Sequence, residues 1–337
     1  MNVVKKAGNL LNRKAIDQID AKILKILLKE SRTSFTKIAK NCKISVGAVR
    51  KRYKRLWKEG IINGEIMQVN PRSLGYKCIA IIGVTTARED EDEVIKFLRK
   101  KPFSRVVFQN AFERTNIAVI VSLHEFEELA KTMREIESNP LIKYSSVYVW
   151  SKTSDLDYPE NLRLTTSNNE SEREKSPRKN NTNFEKKKID KEDRQIAKIL
   201  SQHSRTPFIK IAKELEISTK KVIERYKKLR GTVLASSTIT VNLSKLGYNA
   251  LAHLLIKSSN KSKIPEIQAN LLKIPNLITV MEIFGDYELF PIIALSDYEE
   301  LFRLKEQINT IGYIDQMDMI LAKPYYAWPL DLFSSLL

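Results

Sequence analysis

Arg50, Lys51 and Lys54 stand close together on a short basic segment that opens at Ser45 and runs to Leu56. A guanidinium such as Arg50 matches the hydrogen-bonding edge of guanine, and an ammonium such as Lys54 meets phosphate as a point charge. Small Gly47 beside them leaves room for close backbone approach. The same frame recurs 173 positions on, where Ser218, Lys227 and Leu229 match Ser45, Lys54 and Leu56. There Thr219, Lys220, Ile223 and Glu224 replace Val46, Gly47, Arg50 and Lys51. The chemistry implied is reversible recognition of a polyanion, by two surfaces that read different things. Shared Lys54 and Lys227 are assigned to phosphate, as are Arg32 and Arg205 upstream, beside Thr33 and Thr206. Arg52 and Arg225 read instead as partners of Asp20 and Asp193 in an ion pair inside the unit, in preference to DNA contacts.

The elements that must position these residues are written twice. Residues 16–56 align with 189–229 without a gap, with 22 of 41 pairs identical. Such a repeat decides the architecture before any local reading. Ile16, Ile19, Ile23, Ile26 and Leu27 recur at helical spacing, predicting a helix over 16–30. Phe35, Ile38 and Ala39 mark a short second helix ending near Asn41. After the tight Lys43-Ile44 connection, Ser45 caps a third, with Val49, Tyr53 and Leu56 turned inward and Gly60 as its stop. Three helices with a tight turn before the third are the sequence form of a winged-type helix-turn-helix, whose third helix enters the major groove.

Beyond Gly60 the period changes from 3.6 to 2. Residues 64–70 alternate, 71–75 turn, and strands are predicted at 77–86, 104–109, 116–123 and 142–150, with helices at 93–99 and 125–138. That β-α-β-β-α-β order is the ferredoxin-like split βαβ, and it returns over 248–322. The fold class is therefore α+β in two tandem units. The expected boundaries are an N-terminal tail at 1–15, helix-turn-helix domains at 16–62 and 188–234, and ferredoxin-like domains at 63–155 and 235–333. The polar stretch 156–187 reads as a flexible linker. A coil of that length spans about 30 Å, near the roughly 34 Å between half-sites one helical turn apart.

The net charge of +18 is concentrated rather than spread. Residues 13–60 carry +11 and residues 186–231 carry +9, so the rest of the chain is slightly acidic. This is the footprint of a polyanion-binding protein. Cys42 and Cys78 have no CxxC spacing, and His124, His203 and His253 form no ligand pattern, so neither a metal nor a cofactor is expected. The longest useful apolar run, 78–84, falls far short of a membrane span. Residues 1–10 lack a signal-peptide core. A cytoplasmic, nucleoid-associated protein with no catalytic constellation is the expectation.

Taken together, Ile16-Asp17-Gln18-Ile19-Asp20, Ser31-Arg32-Thr33, the run from Ile44 to Tyr53 and Leu74-Gly75-Tyr76 closely resemble the Lrp/AsnC family of feast/famine transcription regulators. The second copy repeats them at Ile189, Ser204, Ile217 and Leu246, so the resemblance covers nearly the whole chain outside tail and linker. It implies a sequence-specific regulator bound to double-stranded DNA, dimerising through its ferredoxin-like domains, with one chain resembling a covalent pseudo-dimer. It also implies a small effector such as an amino acid, held by a Gly-Asp-Tyr loop. Gly285-Asp286-Tyr287 is that loop in the second unit, whereas the first has Glu113-Arg114-Thr115. The local chemistry of a hairpin turn explains Gly285-Asp286 equally. Two other readings stay open: a low-specificity architectural DNA binder, and an enzyme similar to the siroheme decarboxylases, which share the family's layout. The latter are expected to bring histidine and arginine to an acidic tetrapyrrole, and neither ferredoxin-like domain here carries a histidine cluster.

Overall fold

Asp17 and Asp20 open the first helix as a reciprocal cap: each side chain accepts a hydrogen bond from the other's backbone N–H, at 2.8 and 3.1 Å. Two of the unpaired amides at a helix start are satisfied this way. Asp190 and Asp193 do the same in the second unit. We describe residues 16–112, 115–152, 156–164 and 187–337 from a computed structural model; the N-terminal tail, Glu113-Arg114 and most of the expected linker lie outside them.

Helices α1 (Gln18–Lys29), α2 (Phe35–Cys42) and α3 (Val46–Lys58) form the first head, and α6 (Lys191–Gln202), α7 (Phe208–Glu214) and α8 (Thr219–Leu229) the second. The turn before the third helix is made by Lys43 and Glu216, both left-handed at φ 53° and 56°. Gly60, at φ 66°, ends the first head as expected. In the first unit β2 (Cys78–Thr85), α4 (Glu91–Arg99), β3 (Ser104–Phe112), β4 (Thr115–Leu123), α5 (Glu128–Glu137) and β5 (Tyr144–Trp150) follow. The second repeats them as β7 (Ala250–Ser258), α9 (Ile264–Leu271), β8 (Leu277–Phe284), β9 (Leu289–Leu295), α10 (Tyr298–Asn309) and β10 (Ile314–Ala322).

The two sheets join edge to edge into eight strands ordered β10-β7-β9-β8-β5-β2-β4-β3, through Val149 against Phe284 and Trp150 against Ile283. β10 also lies against β3, so the pairing surface expected to join two chains is used here within one. Period 2 sorts the strand residues between layers. Cys78, Ala80, Ile82 and Val84 pack under the unit's own helices, while Ile79 and Ile81 face a central core shared by both units.

The strands that follow the heads, β1 (Ile62–Val69) and β6 (Leu234–Val241), pair with each other in an antiparallel ribbon. Ile66 faces Thr238, at the offset that aligns Val69 with Val241. The ribbon thus crosses the pseudo-two-fold axis. Each first helix packs on the other unit's strand, α1 on β6 and α6 on β1.

The expected linker at 156–187 is corrected at its start. Leu162 and Leu164 are buried, Tyr158 N–H donates to Ile278 at 2.8 Å, and Val280 N–H donates to Leu156 at 3.1 Å. Three leucines and a tyrosine, spaced among polar residues, bring enough apolar surface to strap this segment down despite its composition. Among the described residues no helix is long and apolar enough to cross a membrane.

Candidate nucleic-acid interface

Helix α3 turns Val49 and Leu56 into the core, both fully buried, and leaves Gly47, Arg50, Lys51 and Lys54 exposed. Ser45 Oγ accepts from Ala48 N–H at 3.1 Å, so the cap holds the start of the helix while its hydroxyl proton stays available. In α8, Lys220, Glu224 and Lys227 are exposed, Thr219 and Ile223 half-buried, and Ser218 caps through Lys221 N–H at 3.2 Å. Val46 is half-buried and packs against the core, which leaves less of it to meet a base than the sequence suggested. The second head is further altered by Glu192. Its carboxylate takes Lys221 at 2.8 Å and Arg225 at 2.5 Å, drawing basic charge back into the fold.

Arg52 and Arg225 are internal, as the spacing predicts. Arg52 Nη1 reaches Asp17 at 2.6 Å and Asp20 at 2.8 Å; Arg225 Nη1 reaches Asp190 and Asp193, each at 2.6 Å. Asp20 and Asp193 are completely buried, and Arg55 and Lys228 complete their pairing. Burial pushes the Asp193 carboxyl up, but hydrogen bonds from Lys228 and Arg225 outweigh it and hold the group below the usual carboxylate range. A buried carboxylate needs such compensation.

Arg32 and Arg205, assigned to phosphate from the sequence, are instead engaged in the joint between the two heads. Arg32 Nη1 donates to the carbonyls of Ser204 and, at 3.1 Å, Thr206, and its guanidinium lies 4.3 Å above the Phe208 ring. Arg205 returns the same contacts to Ser31 and, at 3.0 Å, Thr33, lying 4.7 Å above Phe35. Between them Ser31 and Ser204 share a hydroxyl hydrogen bond of 2.6 Å. The reason is the flat guanidinium, which can cover an aromatic ring while its edge serves two carbonyls. Thr33 and Thr206 spend their hydroxyls on the turn, donating to Glu30 and His203 carbonyls at 2.9 and 2.8 Å. The two heads are therefore clamped to one another by two residues that the sequence offered as phosphate ligands.

The loop expected to hold an effector lies beside the joint between the units. Gly285 does not adopt a positive φ. Its glycine character is needed for close approach, since a Cβ there would lie 2.8 Å from the Tyr148 ring and 3.0 Å from the Val147 carbonyl. Tyr287 is buried and its hydroxyl donates to Asp318. Asp286 alone of the three is an exposed side chain. The loop belongs to the joint between units. Glu113 and Arg114, its expected counterparts, lie outside the described residues.

A cavity of about 590 Å³ opens between the sheets, and the sequence gives no hint of it. Ile81, Ile120, Trp150, Met281 and Ile292 line it, together with Trp328 and Phe333 of the C-terminal segment. That segment is tied to β6 by reciprocal backbone hydrogen bonds between Val241 and Trp328 at 2.8 and 3.0 Å.

Comparison with known proteins places this geometry. A winged helix-turn-helix DNA-binding model matches residues 16–63, and an AsnC-type helix-turn-helix model matches residues 189–230. The transcriptional regulator LrpA of Pyrococcus horikoshii is 41% identical over 132 residues, covering 39% of this chain and 90% of that protein. The chain belongs to the Lrp/AsnC family. Ptr1 of Methanocaldococcus jannaschii, another regulator of this type, is 34% identical over 120 residues, 36% of this chain and 80% of its own length. The siroheme decarboxylase NirDL matches the tandem fold of this Lrp/AsnC protein, covering 94% of this chain and 96% of its own at a TM-score of 0.63 and 18% identity. A second NirDL structure, with an iron-uroporphyrin III analogue, gives 0.61 at the same identity and the same coverage of this chain, and 97% of its own.

Proposed function

We propose that this Lrp/AsnC protein is a sequence-specific transcription regulator whose two unlike heads read one asymmetric DNA site. The carrying observation is the contrast between exposed Arg50 and Lys51 on α3 and Ile223 with exposed Glu224 on α8, within a shared scaffold. Arg50 suits guanine; Glu224 suits the cytosine amino group and repels phosphate. Lys54, Lys220 and Lys227 serve phosphate, and the hydroxyls of Ser45 and Ser218 stand at the two helix starts. Similarity to LrpA and Ptr1, both regulators by name, supports the reading. Two heads clamped in one chain supply the paired readers, one for each half-site, that other proteins obtain by joining two chains.

Selection from a random duplex pool at near-physiological salt tests it. Enrichment of a bipartite site with unlike halves is the expected result. A consistent preference for identical halves would sink the two-reader reading, and tight binding without enrichment would favour an architectural binder, whose affinity comes from phosphate alone.

The inter-sheet cavity and the NirDL fold favour a second reading, an enzyme acting on an acidic tetrapyrrole. The lining fits that substrate poorly. Among the described lining residues the cations reduce to Lys323, with no arginine, against a substrate bearing many carboxylates. His253 is held neutral by burial. The regulator reading is therefore preferred, and an absorbance titration with siroheme that showed stoichiometric binding would reverse the preference.

A further inference from the structure

The cavity between the sheets has the dimensions of a ligand site, and its chemistry is uneven. At about 590 Å³ it falls within the range of small-molecule pockets, far above the packing voids of a core. Both units and the C-terminal segment contribute wall, and that wall is mostly aliphatic and aromatic. The indole N–H groups of Trp150 and Trp328 have no hydrogen-bond partner among the described residues, and most of the other polar groups are spent. Asp157 accepts from Gln68 at 2.7 Å and from Thr279 at 2.9 Å, and Gln68 in turn accepts from Ser236 at 2.6 Å. Asn249 Nδ2 donates to the Ser296 carbonyl at 2.5 Å. His253 Nε2 and the Tyr325 hydroxyl lie 3.2 Å apart and give an uncharged polar spot in the wall. Lys323 is different: it is exposed at the rim and has no ion-pair partner among the described residues.

We infer that this cavity binds a small, mainly apolar aromatic molecule carrying a single acidic group, with the ring system between Ile81, Ile120, Met281 and Ile292 and the acid at Lys323. A polyanion would outnumber the one available cation. A cation would meet a carboxylate already holding two donors. A neutral molecule would leave the lysine unused. The site is distinct from the Gly285-Asp286 loop, which lies beside Tyr148 at the edge of the joint, and its occupancy needs no DNA.

The probe is 8-anilinonaphthalene-1-sulfonate, an apolar aromatic monoanion, added to the full chain carrying W57F. With Trp57 removed, the remaining two of the three tryptophans, Trp150 and Trp328, both line the cavity. Saturable one-to-one dye enhancement with matching loss of tryptophan emission is expected. K323E, a change at an exposed residue, should weaken binding about tenfold, and A235F should abolish it by filling the space, with thermal midpoints near the parent's. N-phenyl-1-naphthylamine, the uncharged analogue, should bind more weakly than the sulfonate and ignore K323E. Absence of saturable binding overturns the inference, as does binding indifferent to both substitutions. Binding that A235F removes but K323E leaves unchanged overturns the assignment of an acidic ligand.

Discussion

The hydroxyls of Ser31 and Ser204 meet at 2.6 Å, each completely buried, and the two residues are the same position of the repeat, 173 apart. They lie where the pseudo-two-fold axis passes between the heads. On either side Arg32 and Arg205 cross it in opposite directions. The heads are thus held in one mutual orientation by a polar joint with an aromatic floor, as the proposed pair of readers in one chain requires.

Arg32→Ala should therefore act on the joint rather than on the DNA backbone. Losing charge-assisted bonds to two carbonyls and the cover over Phe208 is expected to cost about 2 kcal/mol, read from urea unfolding. The salt dependence of DNA affinity should keep its slope, whereas Lys54→Ala should lower that slope by about one phosphate contact. A drop in slope for Arg32→Ala equal to that for Lys54→Ala would return Arg32 to the phosphate.

Asp20→Ala removes the carboxylate that Arg52 and Arg55 share and half of the reciprocal helix cap. Removing one partner of a buried pair costs about 3 kcal/mol, with the lost cap adding to it. Asp17→Ala, at a half-exposed position, should cost about 1 kcal/mol. Equal effects of the two in thermal unfolding would contradict the assignment of Asp20 as the buried anchor.

Gly285→Ala places a methyl against Tyr148 and the Val147 carbonyl, neither of which can retreat without opening the β5–β8 junction. About 1–3 kcal/mol of destabilisation is expected. Asp286→Ala should change stability by less than about 0.5 kcal/mol. Calorimetry of the pair separates a packing glycine from a loop built only to turn.

His253 gives stability a pH dependence of known sign. Burial brings its pKa from 6.5 down to about 4, so between those values the unfolded chain binds the extra proton. Stability is then complete above pH 6.5 and is lost as pH falls toward 4, by about 3 kcal/mol. His253→Gln should flatten this part of the profile in urea titrations taken across that window. An unchanged slope would show that other groups govern it.

Much of the site was legible along the chain because the signals are local. Apolar spacing put Val49 and Leu56 inside and so turned Arg50, Lys51 and Lys54 outward. Ser45 and Ser218 follow from cap chemistry, and the Arg52–Asp20 pair follows from conserved spacing between two copies of one unit. The ferredoxin-like order was readable from the change of period, and the repeat itself made the architecture tandem.

Tertiary structure decided what lies opposite each of these faces, which no periodicity reports. Arg32 looks like a phosphate ligand until Phe208 and the Ser204 carbonyl arrive from 170 or more residues away. Gly285 looks like a turn residue until Tyr148 closes on it. Residues 156–164 look like linker until Leu162 finds a core assembled from both units. The cavity belongs to neither repeat, because its walls come from two sheets and a terminal segment that meet only when the chain folds back on itself. A sequence states which side chains seek burial or charge; the partners that satisfy them are set by contacts between distant segments.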